Sequence, residues 1–151
     1  VSSNFERALF DAYDRDAGAV AQLMDELGQG GFDVSQGAMQ ALQDTYRSGR
    51  ASEEETSATI TDRRRTTGEL LCPHSAVGVK VADELRDPAT PMVTLATAHP
   101  AKFPDAVEAA TGIRPPLPPR MADLFDREER FTRLPNDLDA LKAHIKGNLP
   151  A

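Results

Sequence analysis

The sequence predicts a mainly α-helical segment with one principal β-strand, and three observations carry that prediction. Apolar residues recur at helical spacing, with capping residues at the right places, through the first ninety positions. A single short apolar run, Met92–Ala96, is bounded by Asp87-Pro88 and Pro91. A proline-rich stretch, Arg114-Pro-Pro-Leu-Pro-Pro-Arg120, then separates these from a last helical pattern.

The elements follow in order. Ser3-Asn4-Phe5-Glu6 reads as a capping box, and Phe5, Leu9 and Tyr13 share one helix face. Asp16 opens a second helix whose apolar side is Val20, Leu23, Met24 and Leu27, stopped by Gly28. Gly30-Gly31 make a turn, and a helix after Ser35 carries Met39, Leu42 and Tyr46 towards Gly49. Ser52-Glu53-Glu54-Glu55 is a second capping box, with three acids where the helix dipole favours them. Asp62-Arg63-Arg64-Arg65 reads as the solvated end of that helix. Cys72-Pro73-His74-Ser75 starts another, with proline at the first turn and Val77, Val81 and Leu85 on one side.

Met92–Ala96 has the nearly continuous apolar character of a central strand. An unpaired strand is costly, because a buried backbone group without a partner costs roughly 1–3 kcal/mol. Gly31–Ser35 and Phe131–Leu134 are too short and weak to pair with it. The partners are therefore expected in another segment or chain, and the sequence reads as part of a larger protein. Phe103-Pro104-Asp105 begins a short helix ended by Gly112, residues 114–120 are an extended connector, and a helix is expected over Ala122–Arg130. The final helix, after Asn136, is expected to bury Leu138, Leu141 and Ile145 and to stop at Gly147.

Composition narrows the function classes. A chain of 151 residues fits one domain, and its net charge of −7 argues against nucleic acid or an anionic membrane as partner. One cysteine, Cys72, excludes an intrachain disulfide and favours a reducing, cytoplasmic setting. No apolar stretch reaches the ~20 residues of a membrane helix.

The candidate sites each have a plain alternative. Cys72, His74, His99 and His144 offer zinc-ligand chemistry, but with no second cysteine and no His pair at i, i+4 the expectation is no metal site. Cys72 beside His74 is a poor nucleophile–base pair, since such partners are normally brought together by the fold. Pro115–Arg120 fits a PxxPxR ligand pattern, for which a surface linker is the better explanation. Lys80, Lys102, Lys142 and Lys146 sit in amphipathic or turn contexts, and no glycine-rich phosphate loop is present. The end of the apolar run, Thr97-Ala98-His99-Pro100-Ala101-Lys102-Phe103, puts polar groups where α/β proteins bind ligands; ordinary turn chemistry is the alternative.

Three motifs together decide more than any one. Val1-Ser2-Ser3-Asn4-Phe5-Glu6-Arg7, Cys72-Pro73-His74-Ser75-Ala76 and Thr97-Ala98-His99-Pro100-Ala101-Lys102-Phe103 resemble the threonine synthase family, in the same order and over the whole chain. The resemblance implies a pyridoxal-phosphate enzyme of fold type II (tryptophan synthase β-like) that turns O-phospho-L-homoserine and water into L-threonine and phosphate. This chain would be the C-terminal segment. It divides into a helical region (1–90), a strand-turn-helix completing the cofactor domain (91–112), and a proline-rich connector with C-terminal helices (113–151). The cofactor lysine and the phosphate loop are expected upstream, in the remainder of the same chain, so no catalytic residue is assigned here and the segment alone is expected to be inactive. Thr97 matches the family's threonine that hydrogen-bonds the pyridine nitrogen. His99 and Pro100 are expected to fix the turn that aims it, and Lys102 to be structural. Ser75 stands where the family often has threonine, and Ala96 where it often has Ser or Gly. The reading from a different class is a non-catalytic, acidic helical interaction or regulatory module.

Overall fold

The computed structural model describes residues 4–149, in two compact units, Val1–Pro115 and Pro116–Ala151. The first unit holds six α-helices: α1 (Phe5–Ala12), α2 (Ala17–Gly28), α3 (Gln36–Thr45), α4 (Glu53–Thr67), α5 (Pro73–Leu85) and α6 (Pro104–Thr111). A 3₁₀ turn, Pro100–Lys102, precedes α6. The second unit holds two 3₁₀ turns, Pro119–Met121 and Leu124–Asp126, and α7 (Leu138–Gly147).

Local signals set most of these boundaries. The Asp16 carboxylate accepts from the Gly18 and Ala19 amides and so caps α2. Ser35 caps α3 through the Ala38 amide. At α4 the capping box is complete: the Ser52 amide donates to Glu55 Oε2 at 2.7 Å, and the Glu55 amide donates to Ser52 Oγ at 3.2 Å. Gly68 and Gly112 end α4 and α6 at φ of 80° and 70°, in the left-handed conformation that favours glycine. The expected Ser3 cap lies outside the described residues; Asn4 precedes α1 with no side-chain cap bond.

Two packing centres result. Leu9, Leu23 and Leu42 bring α1, α2 and α3 together, flanked by Tyr13, Val20, Met24, Phe32 and Val34. Tyr13 does more than pack, since its hydroxyl accepts from the Ser35 amide at 2.9 Å. On α3 the buried side is Ala38 and Leu42, whereas the expected Met39 and Tyr46 are exposed. In the second centre α4 packs on α5 and α6, and Ile60, Cys72, Ala76 and Val107 are buried. Thr61 Oγ1 on α4 reaches the Ala110 carbonyl of α6 at 2.7 Å. The Lys80 ammonium on α5 meets Glu55, Glu84 and the Arg50 carbonyl at 3.2, 2.9 and 2.9 Å. Arg63 pairs with Asp83, which joins α4 to α5 and corrects the expectation of a wholly solvated arginine cluster.

The principal strand is not there. Among the described residues no segment is a β-strand, and Met92–Ala96 is extended but unpaired. Val93 and Leu95 are 79% and 74% exposed. A strand exists only when a neighbour takes its backbone hydrogen bonds. Apolar composition alone supplies no such neighbour, so the regular structure of the described residues is entirely helical.

The second unit brings two further corrections. The helix expected over Ala122–Arg130 reduces to the 3₁₀ turn Leu124–Asp126, with Phe125 exposed. Short helices are marginal without an apolar face to pack, and this one has nothing within its unit to cover it. The final helix forms where expected, with Asp137 capping it through the Ala140 amide. Its apolar residues Leu138, Leu141 and Ile145 are nevertheless exposed rather than buried.

Candidate functional site

The two motifs of the middle of the chain, Cys72–Ala76 and Thr97–Phe103, meet at the start of α5. Cys72 is the N-cap of that helix. Its sulfur accepts from the Ser75 amide at 3.4 Å and lies 3.2 Å from Ser75 Oγ. Pro73 takes the first helical position, where a missing amide hydrogen does no harm. Cys72 is 1% exposed and Ser75 is also buried. Burial pushes the Cys72 thiol up. Hydrogen bonds from the Ser75 hydroxyl and from the amides of Ser75, His74 and Ala98 oppose it, and together they hold the pKa below the ordinary thiol value.

Ala98, whose backbone is among the groups acting on the Cys72 thiol, follows Thr97 directly. A further contact lies beyond the turn: the His74 ring packs on Phe103, with centroids 4.8 Å apart at a tilt of 50°. A third lies before it. Gly78 of α5 approaches Thr94 so closely that a Cβ there would stand 3.2 Å from Thr94 Cγ2.

Within the turn the roles separate. His99 Nδ1 accepts from the Ala101 amide at 3.1 Å and so caps the 3₁₀ turn that begins at Pro100. Both residues therefore serve the local geometry, as their positions in sequence suggest. Thr97 is exposed, and its hydroxyl has no hydrogen-bond partner among the described residues. A neutral hydroxyl carried on a held backbone and free to donate suits a ring nitrogen, carbonyl or phosphate oxygen of a ligand. Lys102 is exposed beside it, also without an ion-pair partner among the described residues. The other motif residues do not join this site. Phe5 and Arg7 line a separate groove with Met39, Leu42, Tyr46 and Arg47, and Val1–Ser3 lie outside the described residues.

No group of three or more His, Cys, Asp or Glu side chains among the described residues is arranged to hold an ion. The lysines are also accounted for in part: Lys80 is engaged by two carboxylates, with its pKa raised first by the Glu84 hydrogen bond, and Lys142 is near Asp139. The contacts at Gly78, Cys72 and His74 were not legible beforehand. Only the glycine inside an otherwise regular helix was a hint of close approach.

Comparison with known proteins agrees with the motifs. The family model described as threonine synthase, C-terminal, matches residues 75–145. The threonine synthase of Pseudomonas aeruginosa is 48% identical over 148 residues, which is 96% of this chain and 32% of that protein. That of Corynebacterium glutamicum is 40% identical over 95% of this chain and 31% of its own length. Among solved structures, a pyridoxal-phosphate-bound threonine synthase from Brucella melitensis matches with a TM-score of 0.75 at 49% identity, covering 97% of this chain and 32% of that one. The chain thus spans about a third of the length of the relatives it matches.

Proposed function

From the threonine synthase family, to which this chain belongs as a C-terminal segment, we propose the activity of the protein that carries it. That protein converts O-phospho-L-homoserine and water to L-threonine and phosphate, with pyridoxal phosphate as cofactor. One observation carries the reading: 49% identity and a TM-score of 0.75 to a pyridoxal-phosphate-bound threonine synthase over 97% of the chain. The net charge of −7 argues against a nucleic-acid or anionic-membrane partner, and a single cysteine suits a reducing, cytoplasmic setting.

The chemistry supplied by bound pyridoxal phosphate is that of an electron sink. The residues here fit one end of that group. Thr97 offers an unengaged, neutral hydroxyl to the pyridine nitrogen. A hydroxyl can donate to the unprotonated nitrogen, whereas a carboxylate would hold it protonated and strengthen the withdrawal of electrons. His99 and Pro100 shape the turn that carries Thr97. Residues 91–112 then face the cofactor, and the lysine that binds it, with the phosphate cradle, belongs to the remainder of the chain.

The segment alone is accordingly inactive. The test compares the full-length protein with residues 1–151, measuring phosphate release and threonine formation with added pyridoxal phosphate. Activity only in the full-length protein is expected. Turnover by residues 1–151, or a cofactor absorbance band in them that vanishes when Lys80, Lys102, Lys142 or Lys146 is replaced, would overturn the reading.

A further inference from the structure

We propose that His74 and Gly78, on the first turns of α5, are positioning residues for Thr97. They hold the backbone on both sides of it. This rests on the reading of Thr97 given above, and its test is built to fail separately.

Thr97 is not fixed by its own side chain. Its side chain is exposed and its hydroxyl unengaged among the described residues, so nothing in its own surroundings fixes where it points. The run that leads to it, Met92–Ala96, has no ladder to hold it. Direction must come from the neighbours in sequence, and these are held at two points by one helix. Thr94 lies against Gly78, in the space a side chain would need. Phe103 packs on His74. Thr97 falls between the two anchors. A free hydroxyl is useful only if its position is settled before the ligand arrives, because misplacement by a fraction of an ångström lowers the rate of a reaction that depends on orientation.

Gly78 is the informative anchor. Glycine inside a helix is unfavourable, and alanine would stabilise α5 on propensity alone. Yet the added Cβ would stand 3.2 Å from Thr94 Cγ2, closer than ordinary van der Waals contact, so the run beside it must give. Stability and positioning therefore move in opposite directions in Gly78→Ala. A role in packing alone would let activity follow stability.

The experiment uses the full-length holoenzyme as wild type, Gly78→Ala, Gly78→Ala/Thr94→Ser and Thr97→Val. The readouts are the thermal midpoint, the absorbance of the bound cofactor, kcat, and the alkylation rate of Cys72 with iodoacetamide, followed by mass spectrometry of its peptide. In Gly78→Ala the midpoint is expected to hold or rise. Cys72, buried at the N-cap of the same helix, should alkylate severalfold faster as the turn beside that helix loosens. The cofactor band should shift in the same direction as in Thr97→Val, and kcat should fall about tenfold. Serine at position 94 lacks the methyl that clashes, so the double variant should recover all three. If Gly78→Ala changes neither the alkylation rate nor the band while Thr97→Val shifts the band, the positioning role is wrong and the Thr97 reading stands. If alkylation quickens and is rescued but neither variant moves the band, α5 holds the turn and it is the Thr97 reading that falls, taking the positioning role with it.

Discussion

Helix α5 has two kinds of neighbour. Against α4, which also packs on α6, it is sealed, with Ile60, Cys72, Ala76 and Val107 all at or below 1% exposure. Beside the run Met92–Ala96 it makes a close approach at Gly78 to Thr94, yet Val93 and Leu95 stand out in solvent although they are as apolar as anything in the core. The difference is in the backbone. A helix satisfies its amides and carbonyls within itself and needs neighbours only for its side chains, whereas an extended run needs a neighbour for both. This chain can complete the first kind of structure from its own residues. It leaves the second kind open.

The largest effects should come from treating the two neighbours alike. Ile60→Ala in residues 1–151 empties a fully buried site and should cost about 2–5 kcal/mol in urea denaturation. Leu95→Ala should fall within about 0.5 kcal/mol of wild type in the same chain. Equal losses from the two would break the comparison. A smaller effect tests the helix ends that make the sealed side self-sufficient. Gly112 has φ of 70° and open space around it, so Gly112→Ala should cost about 1–2 kcal/mol through backbone conformation alone. Ser52→Ala removes the α4 cap and should cost roughly 1 kcal/mol. Were Ser52→Ala neutral while Ile60→Ala was severe, side-chain burial would be the whole difference between the two regions.

The smallest effect is a pH dependence. Hydrogen bonds hold the carboxyls at the start of α4 below their ordinary values: for Glu54, from its own backbone and then Ser52, and for Glu55, from the Ser52 backbone and then Lys80. For a carboxylate with a lowered folded-state pKa, the stabilisation is present above the unfolded value and is lost as pH falls through the folded one. Thermal midpoints of wild type and Glu55→Gln should therefore differ at neutral pH and converge as pH falls below about 4. A gap that widens in acid would reverse the sign of this account.

The same division explains what could be read beforehand. Asp16, Ser52, the Cys72-Pro73 start of α5 and Gly112 act on residues two to four positions away, and their spacing announces them. The strand over Met92–Ala96, the helix over Ala122–Arg130 and the burial of Leu138, Leu141 and Ile145 were each inferred from apolar pattern. Pattern says which side chains would gain from burial, not whether a partner is within reach. At the site, Thr97 and His99 stood out from their motif. Their attachment to α5 through His74 and Gly78 joins positions too far apart for any local pattern to register.

The central claim is that Thr97 is the group this segment presents to the cofactor of a threonine synthase. Its most direct test is Thr97→Val in the full-length enzyme, read as turnover and cofactor absorbance, beside His99→Ala. Valine keeps the shape and removes the hydroxyl. Losing one hydrogen bond to a partly buried nitrogen costs about 1–3 kcal/mol, so kcat should fall roughly ten- to a hundredfold while the cofactor stays bound. His99→Ala should lower stability through the lost 3₁₀ cap and leave the spectrum as it was. Wild-type turnover in Thr97→Val, with an altered spectrum in His99→Ala, would contradict the claim and hand the role to the histidine.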